Sequence, residues 1–186
     1  MKLWDDIVSR YPQYQLRIVT FKSDKYRLDL LNDQFDFLVG PFNSSLDHYQ
    51  FIPIGSYRLC LSVNRLHPLA NKKELSFKDL AHEKILIMKK GISPVNDAAR
   101  ELIVSSYPDI EIVDIEPCYD ASTFNYCAES NAFLLNLEYW KDVHPSLKTI
   151  PLKEEYYLPY GIVISKYMNE TLKSFIKIVQ DTLHIK

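Results

Sequence analysis

Histidine and cysteine, the residues most often used for metal binding and nucleophilic chemistry, show no functional spacing in this sequence. The five histidines share no metal-ligand pattern such as H-E-x-x-H, so we predict no metal site. The three cysteines, Cys60, Cys118 and Cys127, form no C-x-x-C pair and lie in apolar, strand-like surroundings. Burial there would leave the thiols unreactive, and so few cysteines, odd in number, favour a reducing compartment.

Other catalytic and cofactor-binding motifs are missing from the sequence as well. It contains no P-loop, no G-x-S-x-G elbow and no G-x-G-x-x-G fingerprint. Adjacent carboxylates such as Asp5–Asp6 and Glu154–Glu155 are interpreted as solvated surface, not as an acid/base pair. We therefore predict no catalytic residue and no cofactor.

Two serines offer a different kind of chemistry. Ser23 and Ser93 each follow a strand-like run and each begins a helix-like run, with Lys22, Lys89 and Lys90 beside them. A helix N-terminus presents unpaired backbone N–H groups and a partial positive charge, which suits a carboxylate. Ordinary helix capping is the more frequent role of serines in such positions, and both interpretations stay open.

The elements that must position these residues alternate between strands and helices, which predicts an α/β fold with largely parallel sheets. Helices are predicted at LWDDIVSRY, at 24–32, at 95–106, at ASTFNYCAE and at the C-terminus, where apolar residues recur at helical spacing. The predicted strands are QLRIVTF, FDFLVG, FIPIG, YRLCLSVN, KILIM, EIVDIE, NAFLLN and LPYGIVIS.

Composition limits the class of protein further. Hydrophobic residues make up 47% and charged residues 25% of the 186-residue chain, which suits a globular domain or two small lobes. The net charge is −2 with no basic stripe, so this chain carries no footprint for nucleic acid. No apolar run approaches the roughly 20 residues needed to span a bilayer, and the N-terminus has no signal-peptide pattern.

The run from Phe35 to Met88 carries a family pattern. Asp36 lies in a strand that ends at Gly40–Pro41, and a later strand leads into HPLA at 67–70, followed by an L-x-x-L helix before KILIM. Pro68 ends the strand before it, and Ser76 with Asp79 forms a capping box. This order strongly resembles the effector-binding domain of LysR-type transcriptional regulators.

The resemblance implies a two-lobed, type 2 periplasmic-binding-protein-like fold with two crossing strands, YRLCLSVN and YGIVIS, truncated at the N-terminus. Lobe I would comprise 1–56 and 161–186, and lobe II 57–160. The DNA-binding winged helix-turn-helix domain would be absent from this chain. Contact with DNA would be made only by that absent domain and not by this chain. A cytoplasmic location and a homodimer, with Leu3–Arg10 against the partner's Val95–Ser106, are also implied.

Two departures from the family pattern alter these expectations. Ser130 and Ala132 stand where the family has glycines, and Leu137 where it has proline, so the local loop geometry should differ. The family's first strand, which lies between QLRIVTF and FDFLVG, is missing. We expect those two strands to pair directly, or a partner chain to cover them.

The effector expected from the resemblance is a small organic acid bound between the lobes, with Ser23 and Ser93 facing it from opposite sides. Affinity should be on the order of micromolar to millimolar, because the absence of the family's first Ser/Thr-bearing loop would leave the cleft more open. A solute-binding protein of a transport system with the same fold is the alternative, and an enzyme on this fold is the third hypothesis. The effector-binding positions implied are Lys22, Ser23, Gly40, Pro41, Ser93, Pro94, Val95 and Asn96, with Ser122 as a weaker candidate.

Overall fold

The chain divides into two compact units in the computed structural model, which describes residues 2–19, 34–41, 49–116 and 119–183. The first unit consists of residues 1–55 and 160–186, and the second of residues 56–159. Strands β2 (Tyr49–Asn64) and β7 (Tyr157–Ser165) contribute residues to both units.

The first unit packs two amphipathic helices against a small sheet. Strand β1 (Leu38–Pro41) pairs antiparallel with β7, and β7 is also hydrogen-bonded to β2. Helix α1 (Lys2–Arg10) buries Ile7, and helix α4 (Glu170–Leu183) buries a stripe from Leu172 to Val179 at helical spacing. Around Phe175, the rings of Trp4, Tyr14 and Phe37 lie with centroids 5.2–6.5 Å away.

The second unit is built on a mixed sheet. Its order is β2, β5 (Phe133–Leu137), β3 (Lys84–Met88) and β4 (Glu111–Ile115), with β6 (Leu147–Pro151) on the other side of β2. Strand β3 runs parallel to β4 and β5, whereas β2 is antiparallel to β5 and β6. The expectation of largely parallel sheets is therefore correct only for strands β3, β4 and β5.

Helices cover both faces of this sheet. Helix α2 (Pro94–Ser106) packs with Leu59, Phe133 and Ile87 on one face, and helix α3 (Ala121–Ser130) packs with Leu86 and Leu134 on the other. Three short 3₁₀ helices, Pro68–Asn71, Phe77–Leu80 and Glu138–Trp140, complete the unit. Because Phe133, Leu134 and Leu135 are all fully buried, β5 is covered on both faces, as its continuous apolar run predicts.

One predicted strand is wrong where the structure describes it. Residues 15–19 of QLRIVTF have no secondary structure, and the side chains of Ile18 and Val19 are 69% and 46% exposed. The direct pairing expected between this segment and FDFLVG is therefore not formed by residues 15–19, and β1 pairs with β7 instead. A strand-like pattern was not enough here, since a strand needs a partner for its backbone groups.

Candidate functional site

The candidate site in the second unit lies at the carboxyl edge of its parallel strands. Met88, the last residue of β3, is aligned with Ile115, the last residue of β4, and the neighbouring β5 ends at Leu137. Chain segments that leave these strands lead to the N-termini of α2 and α3 and to the 3₁₀ helix Glu138–Trp140. In open α/β sheets this edge is where ligands bind.

Helix α2 begins here with its predicted cap. Ser93 has extended backbone angles, and its Oγ accepts a hydrogen bond from the Asn96 N–H at 3.5 Å. Pro94 occupies the first helical position and is exposed, whereas Val95 is half-buried and its side chain packs against the unit's core. The Val95 N–H has no hydrogen-bond acceptor among the described residues, as is usual for the first turn of a helix.

Asn96, by contrast, faces into the protein. Its residue is only 4% exposed, and its side chain hydrogen-bonds the hydroxyl of Tyr119. The same hydroxyl donates to the Leu135 carbonyl oxygen at 2.8 Å, and burial raises the pKa of the phenol. The Tyr119 hydroxyl thus links Asn96, in the first turn of α2, to Leu135 of β5. Asn96 therefore holds the helix start in place and does not face a ligand.

The N-terminus of α3 is already occupied by its own carboxylate. Asp120 Oδ1 accepts hydrogen bonds from the Thr123 N–H at 3.0 Å and from the exposed Ser122 hydroxyl at 2.6 Å. Ser122 therefore lies at the predicted edge but bonds to Asp120, and a second anion here would be repelled by that carboxylate.

Charged side chains surround the loop before α2. Lys89 Nζ lies 2.5 Å from Glu116 Oε1, which raises the pKa of this lysine, and Lys90 Nζ lies 3.8 Å from Glu101. Both carboxylate oxygens of Asp97 accept from the Gly91 N–H, at 3.1 and 3.0 Å. Gly91 has φ = +89°, a backbone conformation that side chains disfavour, so this tight loop requires glycine.

A row of aromatic rings at the same edge was not found from the sequence. Tyr119 contacts Trp140 at 6.1 Å between ring centroids, Trp140 contacts Tyr139 at 5.4 Å, and Tyr139 contacts Tyr57 at 5.4 Å. We call these four residues the aromatic row. They come from separate segments of the chain, so local sequence pattern gives no signal for their meeting; only the adjacent Tyr139 and Trp140 suggest an exposed aromatic pair.

Two of the remaining predicted positions, Gly40 and Pro41, lie in the first unit's β1. Gly40 and Pro41 are the last two residues of β1, aligned with Gly161 and Tyr160, so they end the strand and do not form a turn after it. Lys22 and Ser23 lie outside the described residues.

The two cysteines among the described residues, Cys60 and Cys127, are buried. Burial raises the pKa of the Cys127 thiol to about 12 and that of Cys60 to about 11, so both stay protonated and unreactive at neutral pH. The described histidine, cysteine and acidic residues include no group of three that could hold a metal ion. In the same part of the chain, no helix is both long and apolar enough to cross a bilayer.

A cavity of about 100 Å³ lies elsewhere in the second unit, beside the last turn of α2. Its lining includes Phe77, Tyr107 and Asp109, and it contains none of the predicted site residues. This cavity is therefore separate from the candidate site.

Comparison with known proteins identifies the family. The model of the LysR substrate binding domain matches residues 2–113, which is more than half of the chain. The chain belongs to this family. Its members are the effector-binding parts of LysR-type transcriptional regulators, as the resemblance of the Phe35–Met88 run predicted. No curated protein sequence matches the chain.

Solved structures show the same LysR effector-domain fold. The effector binding domain of QuiR in complex with shikimate has a TM-score of 0.78 at 15% identity, covering 98% of this chain and 89% of that one. The regulatory domain of CcmR from Synechocystis PCC6803, in complex with 2-PG, has a TM-score of 0.72 at 15% identity with the same coverage. Full-length CbnR complexed with its target DNA has a TM-score of 0.77 at 14% identity, covering 98% of this chain and 65% of that one.

Proposed function

We propose that this chain senses a small-molecule effector, a small organic acid, for a LysR-type bacterial transcriptional regulator. The observation that carries the proposal is family membership combined with fold neighbours solved with 2-PG and with shikimate. The matching family model and the neighbouring CbnR structures are those of LysR-type regulators.

The acid group is proposed to bind at the N-terminus of α2. Ser93 Oγ and the Val95 N–H lie at the N-terminus of α2, where the helix dipole favours a negative charge. Lys89 and Lys90 precede this turn in the sequence. Asp97 in the same turn weakens the attraction, which agrees with an affinity on the order of micromolar to millimolar.

The output of the sensor is proposed to reach DNA through a separate DNA-binding domain. Full-length CbnR is solved on its target DNA, and this chain spans 65% of that protein. An effector can shift the equilibrium between two domain conformations only by its difference in affinity for them. Because the target is bacterial DNA, the proposed location is the cytoplasm.

The experiment is calorimetric titration of a panel of metabolite acids into the wild type and the Ser93→Ala variant. Loss of one hydrogen-bond partner of a charged group costs about 1.5–3 kcal/mol, so affinity should fall roughly ten- to a hundredfold. Ser93→Asp is the matched control for folding, because aspartate caps a helix as well as serine does but repels an acid. Ser122→Ala, at the other helix start, should change affinity little.

A bound acid whose affinity is unchanged in both Ser93 variants would show that Ser93 is only a helix cap. The acid group of the ligand would then bind away from α2, and the proposal that the chain senses an effector would still stand.

A further inference from the structure

The cavity beside the last turn of α2 is lined by residues that the proposed effector site does not use. Its volume is about 100 Å³, and it lies between the 3₁₀ helix Phe77–Leu80 and the turn that leads from α2 to β4. Its floor consists of Phe77 and Ile110, which are 0% and 7% exposed, and of half-buried Tyr107. Such an apolar floor gains free energy when hydrocarbon replaces the water that covers it.

Hydrogen bonds hold the two walls of this cavity together. The His82 N–H donates to the Asp109 carbonyl oxygen at 3.1 Å, which joins the chain after the 3₁₀ helix to the turn after α2. Within that turn, the Ile110 N–H donates to the Tyr107 carbonyl oxygen at 3.1 Å. The Phe77 and Tyr107 rings lie 6.4 Å apart between centroids. The cavity is therefore formed before a ligand arrives, which lowers the entropic cost of binding.

Two side chains of opposite charge stand at the cavity, one on each wall. Lys78 belongs to the 3₁₀ helix and Asp109 to the turn after α2, and both residues are exposed. Neither side chain has an ion pair or a hydrogen bond among the described residues, whereas the neighbouring Asp79 is paired with Lys72. A cation would be attracted by Asp109 and repelled by Lys78, and an anion would experience the reverse. These two charges therefore favour a ligand without net charge.

We propose that this cavity is a second ligand site, which takes a branched aliphatic molecule of about four or five carbons without net charge. An apolar cavity of about 150 Å³ is large enough for benzene, so the smaller volume here suits a smaller hydrocarbon group. The proposed acid site at Ser93 is at the other end of α2, whose 13 residues span about 20 Å. The ligand of this cavity is therefore a different molecule from the effector, and the inference does not depend on the proposed function.

The test uses three probes that share one branched chain and differ in the head group: isoamyl alcohol, isoamylamine and isovalerate. Each probe is titrated into isotope-labelled protein, and the backbone amide shifts are followed by nuclear magnetic resonance. Ser106→Leu places a branched side chain in the lining of the cavity. Ser105→Leu is the matched control, because Ser105 is exposed beside Ser106 but does not line the cavity. Lys78→Met and Asp109→Asn each remove one charge and keep the approximate size of the side chain.

In the wild type, isoamyl alcohol should saturate with a dissociation constant on the order of millimolar and bind more tightly than either ion. The largest shifts should fall at 77–81 and 106–110. Ser106→Leu should abolish this binding, because its side chain occupies the same space, and Ser105→Leu should leave it unchanged. Relative to the alcohol, the amine should gain about two- to fivefold in Lys78→Met, and the acid should gain as much in Asp109→Asn, the range of an exposed charge contact.

Two results would overturn the site itself: shifts that do not saturate, or binding to Ser106→Leu that equals binding to the wild type. A wild type that prefers either ion to the alcohol would overturn the uncharged class of ligand. Ser93→Ala should bind the alcohol as the wild type does, so a failure of this site leaves the proposed function to its own titration.

Discussion

Ser93 and Asn96 are already engaged within the protein in the absence of a ligand. Ser93 Oγ accepts from the Asn96 N–H, and the Asn96 side chain bonds the Tyr119 hydroxyl. The helix therefore uses only an acceptor site of the Ser93 hydroxyl, and its O–H can still donate to a ligand acid, whereas Asn96 keeps its partner.

Gly161 is the residue whose replacement should be least tolerated. A Cβ atom here would overlap the Ile52 carbonyl oxygen and the Phe51 ring, which are backbone and a packed side chain of the same unit. Overpacking of this kind costs about 1–3 kcal/mol, occasionally more, so Gly161→Ala should lower the free energy of unfolding by at least that amount. Urea denaturation followed by circular dichroism measures it.

Gly55→Ala is the matched control for this prediction. A Cβ at Gly55 meets nothing within 4 Å, so the variant should be close to the wild type. Equal stability of Gly161→Ala and Gly55→Ala would contradict the close approach of β2 and β7 at Gly161.

The helix cap at Ser93 could be predicted from the sequence, but the aromatic row could not. Capping is local: Ser93 bonds a residue three positions away, and Ser93–Pro94 is a recognisable helix start. Tyr57 and Tyr139 meet only because β2 pairs with β5, and Leu59 of β2 is aligned with Leu137 of β5. Long-range register of this kind is absent from local pattern.

At the scale of elements, two similar apolar runs behave differently. KILIM becomes β3 because β4 and β5 flank it, and Ile85, Leu86 and Ile87 are fully buried. In QLRIVTF, residues 15–19 pair with no strand among the described residues and remain exposed at Ile18 and Val19. Propensity indicates which runs can be strands, but neighbouring strands decide which of them form.

The 3₁₀ helix Phe77–Leu80 should be sensitive to pH through Asp79. The Lys72 ammonium, at 2.8 Å, and the Ser76 N–H, at 2.9 Å, lower the pKa of this carboxyl. Because the pKa of Asp79 is lower in the folded state, the ionised carboxylate stabilises the folded protein at pH values above the unfolded pKa of about 3.9. This contribution is lost as the pH falls through the folded pKa. Asp79→Asn should therefore cost about 0.5–2 kcal/mol at pH 7 and much less near pH 2.

Unfolding free energies of the wild type and Asp79→Asn at both pH values test this prediction. Glu111→Gln is the control, because its ion pair with Lys84 is exposed on both sides and should contribute little at either pH. A cost of Asp79→Asn that stays the same at pH 7 and pH 2 would show that the charge of Asp79 is not what stabilises the turn.

At the scale of the whole molecule, the HPLA stretch at 67–70 stabilises the backbone and core of the fold. His67 Nδ1 accepts the Leu69 N–H at 3.2 Å at the start of its 3₁₀ helix, its ring lies edge-on to Phe133, and Ala70 is buried. In this chain the stretch that carries the family pattern fixes backbone and core. Ligand contacts vary with the effector, so the same pattern does not identify the ligand.

Both helices named in the expected homodimer carry an exposed apolar side chain. Val8 of α1 is 37% exposed in the first unit, and Val104 of α2 is 65% exposed in the second, while Ile7 and Ile103 beside them are buried. Exposed valines on otherwise polar helix surfaces agree with a contact surface, although single exposed apolar residues are common. In a two-fold symmetric dimer, each contact between α1 and the partner's α2 occurs twice.

We predict a dimer at tens of micromolar protein that is disrupted by Val104→Asp. An interface of standard size, about 1,600 Å², holds at this concentration, and an aspartate on each copy would place two unpaired carboxylates in it. Val143→Asp is the control, since Val143 is similarly exposed (48%) but lies outside α1 and α2. Sedimentation velocity should give a dimer for the wild type and Val143→Asp and a monomer for Val104→Asp. A monomeric wild type would refute the assembly, and a dimer that survives Val104→Asp would place its interface on another surface.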